Sequence, residues 1–186
     1  MRRLSLTLSF LLALLTFVAC GDGDVQTTFA RRRAYFRYEK VEVAFPLSTA
    51  LNGPGRYCNI YLEGNDIVFA SLTGTFRDPI TAKAQYQSYL SVDGFIVGQS
   101  NVPDMKTGTL LHLCFDRACP NCYEGSSITR PVTLQENGRA HCSRCGRTYD
   151  LNNLGIIIEG EKGIKLYRYR VYYSGGSTLL INNNGR

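Results

Sequence analysis

Two Cys-x-x-Cys pairs, Cys119-Pro120-Asn121-Cys122 and Cys142-Ser143-Arg144-Cys145, constrain this chain more than any other feature. Nineteen residues separate them. A tight turn lets both thiolates of a pair point at one centre, and small or turn-forming neighbours, here Pro120 and Gly146, free backbone amides to donate to the sulfurs. Asn137-Gly138 is a two-residue hairpin signal that would bring the second pair back beside the first. The expectation is a four-sulfur metal site made of Cys119, Cys122, Cys142 and Cys145. It suits zinc, a single iron, or a [2Fe–2S] cluster. The competing reading is disulfides, because exported thiols meet an oxidising environment. Cys58 and Cys114 stand in apolar runs and read as core residues or as one interstrand disulfide.

The N-terminus supplies the export argument. Arg2 and Arg3 precede a Leu-rich stretch that ends at Ala19. It is too short for a membrane span and of the right length for a signal peptide. Phe17-Val18-Ala19-Cys20 resembles a bacterial lipobox, which implies a signal peptide over 1–19 and a lipidated Cys20. A flexible acidic tether would follow over 20–38, then a folded domain over 39–186. Acyl chains on Cys20 would anchor the protein to a membrane. The expected location is the bacterial cell envelope, on the outer membrane. Arg31-Arg32-Arg33 near that anchor reads as a solvated linker end.

Beyond the tether the chain reads as strands. Val41, Val43 and Phe45 alternate with Glu42 and Ala44 and stop at Pro46. Further apolar runs cover 57–62, 67–70, 95–97 and 110–115, each bounded by Gly, Asn, Asp or Pro. Ile164 to Tyr173 and Thr178 to Ile181 flank Ser174-Gly175-Gly176-Ser177 as a final hairpin. Only 80–90 could hold a helical turn or two. Eighteen Gly and twelve Tyr in 186 residues agree with sheets and turns. The fold class expected is all-β, an antiparallel sandwich or partly open barrel, with a small metal-binding lobe over about 112–155.

The second cysteine motif carries a resemblance. Cys142-Ser143-Arg144-Cys145-Gly146-Arg147-Thr148-Tyr149-Asp150, with Gly155 behind it, resembles the second cluster motif of Rieske domains. Ala118-Cys119-Pro120-Asn121 resembles the first. Val43-Ala44-Phe45-Pro46-Leu47 is similar to the opening strand of such domains. Leu166, Tyr169 and Val171 lie where a later strand is expected, so the likeness covers about residues 41–182. The resemblance implies a Rieske-like β domain, a [2Fe–2S] cluster and a redox partner protein. Cys119 and Cys142 match the family's cysteines. Asn121 and Cys145 stand where the family has histidines, so the implied site is a four-cysteine variant. The chain has two histidines; His112 and His141 read as surface or supporting residues rather than ligands.

No phosphate-binding Gly loop and no Gly-x-Ser-x-Gly elbow is present, and Glu159 and Glu161 read as a solvated loop. No catalytic residue is assigned; an electron-transfer or structural module is expected rather than an enzyme. Net charge is +6, from 21 basic and 15 acidic residues. Without Arg2 and Arg3 it would be 19 against 15, or +4. That is too weak and scattered for nucleic acid.

Overall fold

A computed structural model describes residues 29–80 and 89–184. The proposed signal peptide, Cys20 and most of the 80–90 segment lie outside these residues.

The strands are β1 (Arg33–Tyr38), β2 (Arg56–Glu63), β3 (Asp66–Ser71), β4 (Gly74–Pro79), β5 (Phe95–Pro103), β6 (Leu110–Asp116), β7 (Thr133–Gln135), β8 (Arg139–His141), β9 (Thr148–Asp150), β10 (Ile156–Glu159), β11 (Arg168–Tyr169), β12 (Val171–Tyr172) and β13 (Leu179–Asn184). Two short helices, α1 (Phe45–Asn52) and α2 (Pro120–Ser126), complete the described residues with one 3₁₀ turn. The strands form three antiparallel sheets: β11-β6-β5-β2-β3-β4, β1-β13-β12 and β10-β9-β8-β7. The all-β reading holds, and no barrel closes among the described residues. No described helix is long and apolar enough to cross a membrane.

The six-stranded sheet is a wall between two cores. Side chains alternate across a strand, and along β5 Phe95 and Val97 enter one core while Ile96 enters the other. Along β6 Cys114 points to the first core, and Leu113 and Phe115 to the second. The first core is closed by Phe36, Tyr38, Leu47, Leu51 and Ile181 from β1, α1 and β13. The second is closed by Leu134, Ala140, Cys142 and Tyr149 from the small cysteine sheet. Continuous apolar runs such as Phe95-Ile96-Val97 follow from burial on both faces.

Several expectations need correction. Arg33–Tyr38 is not tether. It pairs with β13 over its whole length and buries Ala34, Phe36 and Tyr38, so the folded domain begins before residue 39. Arg32 is no solvated linker end either: it bonds Glu124 at 3.0 Å and stacks on Tyr123 and Tyr167. Val41 to Phe45 is not a strand but a turn leading into α1, and Val43 and Phe45 are exposed. Pro46 starts that helix rather than stopping a strand, because its fixed φ and missing N–H suit a first helical turn. The 164–173 stretch is broken: β11 joins the central sheet and β12 turns away to pair with β13. The final hairpin is present, with Val171 opposite Ile181.

Candidate metal centre

The cysteines reach one point by two different local devices. Asp116 Oδ1 accepts the Ala118 N–H at 2.8 Å and turns the chain sharply off β6. Cys119 then caps α2, its carbonyl accepting the Tyr123 N–H at 3.0 Å. Pro120 occupies the first turn of that helix, so Cys119 and Cys122 are held one turn apart. Here the sequence reading expected a plain turn.

The second pair sits on the β8–β9 connection. Cys142 and Arg147 close it, with Cys142 N donating to Arg147 O and Gly146 N to Cys142 O, both at 2.9 Å. Gly146 has φ +70°, the left-handed conformation this turn demands and glycine adopts freely. Upstream, β7 and β8 pair as expected, but the connection is a three-residue 3₁₀ turn over Glu136–Gly138, one residue longer than the two-residue hairpin read from sequence.

The four sulfurs all lie within 4.8 Å of one another. Cys119 Sγ is 3.6 Å from Cys145 Sγ, and Cys122 Sγ is 3.7 Å from Cys142 Sγ. Each close pair joins one cysteine from each motif. All six described cysteines are free thiols. A buried four-cysteine group of this kind can hold a metal ion. Its surrounding lobe is shifted relative to the expected 112–155: β6 belongs to the central sheet, and β10 is part of the cysteine sheet.

Donors surround the sulfurs. The Tyr149 hydroxyl is 3.1 Å from Cys119 Sγ. Arg147 reaches Cys145 through both its side chain and its backbone N–H. Burial raises the Cys145 thiol, but those donors, joined by contacts from Cys119 and Cys142, outweigh it and bring it down to about 7. Burial pushes Cys119 and Cys122 up. Of Cys119, Cys122 and Cys145, Cys145 is therefore the thiol most readily ionised near neutral pH, as metal binding requires.

A strap crosses the site. Asn121 Oδ1 accepts the Ile164 N–H at 2.8 Å, and its Nδ2 donates to Ile164 O at 2.7 Å and to Tyr149 Oη at 2.9 Å. Arg147 Nε donates to Glu161 O at 2.9 Å, and its Nη2 to Glu161 Oε2 at 3.0 Å. A Cβ at Gly163 would stand 2.2 Å from Asn121 Oδ1, so only glycine lets the strap lie that close. Sequence reading placed Asn121 at a histidine position and missed that it ties the two loops together. The signal available was the run Gly160-Glu161-Lys162-Gly163, whose glycines mark a close backbone approach.

The remaining candidates lie elsewhere. Cys58 and Cys114 both face the first core, one on each side of Val97. Two strand spacings of about 4.8 Å separate their backbones, beyond the roughly 4.4–6.8 Å a disulfide spans. They are core residues. His112 Nε2 is 2.8 Å from Leu51 O, and His141 Nδ1 is 3.1 Å from Thr148 Oγ1; neither belongs to the four-sulfur group. Glu159 and Glu161 form exposed ion pairs with Arg139 and Arg147.

No protein-family model matches this chain, and no curated protein matches it.

Proposed function

We propose that this chain is an exported, lipid-anchored envelope protein whose domain is built around a single structural zinc ion held by Cys119, Cys122, Cys142 and Cys145. The observation that carries the metal reading is the mutual approach of all four sulfurs within 4.8 Å. A zinc–sulfur bond of about 2.3 Å in a tetrahedron sets sulfurs roughly 3.5–4 Å apart, and the two closest pairs, at 3.6 and 3.7 Å, fall in that range. Four thiolates leave no open coordination position, which is the mark of a structural rather than a catalytic zinc site.

Electron transfer through a [2Fe–2S] cluster on a Rieske-like domain is the second reading. The donors on Cys119 and Cys145 favour it, since hydrogen bonds to cysteine sulfur tune cluster potentials. It asks more of the geometry. Two irons share the four thiolates two by two and hold the halves apart, so sulfurs on different irons would have to spread beyond their present spacing.

Elemental analysis with an absorption spectrum separates the two. One zinc per chain and no visible colour is the expected result; two irons per chain with visible absorption would replace the first reading by the second. Serine at any of the four positions should abolish metal retention. Lipidation rests on Val18-Ala19-Cys20 after the Leu-rich stretch. Cys20→Ala should leave an unprocessed precursor that takes up no fatty-acid label, and normal labelling of that variant would exclude the anchor.

A further inference from the structure

A second concave site lies beside β11 and β12, lined by residues of both strands. Arg168 and Arg170 bring their guanidinium carbons to 4.4 and 4.7 Å from the centre of the Phe29 ring. Both arginines and Phe29 line a cavity of about 280 Å³ whose other walls include Leu111, Leu113 and Val171. No acidic residue among the described residues lines it. Neither arginine joins an ion pair among the described residues. Arg170 Nη1 donates to Asn183 Oδ1 at 3.2 Å, but the Arg168 Nε is buried with no acceptor among the described residues. His112, which also lines the wall with Tyr169 and Tyr172, is committed through Nε2 to the Leu51 carbonyl.

This arrangement is costly unless an anion completes it. Two like charges are gathered at one ring, and burial pulls the Arg168 guanidinium below its usual value. A stripped N–H donor without a partner loses its hydration for nothing. The arm that carries Phe29 is itself fixed: Ala30 N donates to Arg168 O at 2.9 Å, and Asn183 Nδ2 to Ala30 O at 2.8 Å. The site is thus built on hydrogen-bonded backbone.

We propose that this cavity binds a small carboxylate with an apolar body. The carboxylate bridges Arg168 and Arg170, whose planar forks match its two oxygens. The body lies against Phe29, Leu111 and Val171. The apolar walls distinguish such a ligand from a free inorganic anion, which would leave them unused. This inference is independent of the metal.

The test titrates the full-length chain with benzoate, benzamide and inorganic phosphate, followed by calorimetry. Benzoate should bind saturably, and benzamide and phosphate each about tenfold more weakly or worse. Arg168→Gln should lower benzoate affinity by about tenfold or more. Arg170→Gln, at a more exposed position, gives the same readout in a variant that keeps its fold, checked by an unchanged melting temperature. No benzoate binding, equal binding of benzamide or phosphate, or undiminished affinity in Arg170→Gln would overturn the proposal.

Discussion

The two faces of the central sheet are finished in different ways. On one, Phe36, Tyr38, Leu47, Phe69 and Phe95 pack side by side, with Tyr38 and Phe69 rings 4.6 Å apart. Strands of six to nine residues supply this core from the central sheet. On the other face the partner is the cysteine sheet, three of whose strands run only three residues. Strands that short each contribute few side chains, and their apolar contribution comes from residues such as Leu134, Ala140 and Tyr149 packed on the central sheet. The four sulfurs sit at the edge of the second core, beside the buried Tyr149 ring. One region is held by apolar packing alone, the other combines apolar packing with the four-cysteine group proposed to hold a metal, and the boundary between them is a single sheet.

Removing the cross-link should separate the two most clearly. Structural zinc binding in small sites is worth about 10–16 kcal/mol near pH 7, comparable to the whole stability of a typical domain. After chelation, or in Cys142→Ser, amide protection should vanish at Ala140 and Tyr149 and persist at Val97 and Phe69. Hydrogen exchange read residue by residue decides it. Simultaneous loss at all four positions would mean that the domain is one cooperative unit and the comparison false.

A quieter test uses the same residue type in both regions. Cys58 and Cys114 are fully buried in the first core and lie outside the four-sulfur group, with Cys58 Sγ donating to Asn59 O at 3.3 Å. Cys114→Ala should therefore cost on the order of 1 kcal/mol, as for trimming a small buried hydrophobe. Cys119→Ala should dissolve the cysteine lobe altogether. Equal destabilisation by denaturant titration would show that the four sulfurs carry no special load.

The seam has its own polar joint. Asn152 Oδ1 accepts from Tyr57 Oη and from Asn101 N, both at 3.1 Å, and its Nδ2 donates to Asn137 O at 3.1 Å. It ties the β7–β8 turn to β2 and β5. Gly138 packs so close that a Cβ there would meet Asn152 Nδ2 at 2.2 Å. Asn152→Ala leaves three partners short and should cost about 1–3 kcal/mol. The loss should fall on the cysteine lobe first. Unchanged lobe protection in that variant would mean the sulfurs alone position it.

How far all this was legible follows the same divide. The cysteine site was, because spacing alone brings two Cys-x-x-Cys turns to one centre, and four of the central strands were, because their apolar runs are bounded by turn residues. β1 was obscured by Arg31-Arg32-Arg33 and Arg37, although Ala34, Phe36 and Tyr38 keep strand alternation between them. The helix α1 was misread because Val41, Val43 and Phe45 also alternate, and only tertiary packing puts Leu47, Ala50 and Leu51 inside. The strap held by Asn121 and Arg147 depends on contacts more than thirteen residues apart in sequence, which local pattern does not encode.

Acid should move the two regions in opposite directions. Asp116 ends β6 on the wall itself, accepting from Val92 N at 3.0 Å, Ala118 N at 2.8 Å and Tyr169 Oη at 2.8 Å. Burial is the largest influence on it and raises its pKa; the three donors pull the other way and do not prevail. A carboxyl raised in the folded state binds its proton more tightly folded than unfolded. Its contribution to stability is full below the ordinary carboxylate pKa and is lost as pH rises through the folded value. Lowering the pH from neutral toward 4 should therefore favour the native protein over Asp116→Asn in relative terms. The cysteine site responds with the reverse sign, because protons compete with metal for thiolates. The first effect is small and is read as the difference in urea midpoint between native and Asp116→Asn proteins across that range. The second is read in parallel as metal release. A native protein that loses ground to Asp116→Asn on acidification would show that the donors outweigh burial at this carboxyl. The wall would then be weakened by acid on both its faces.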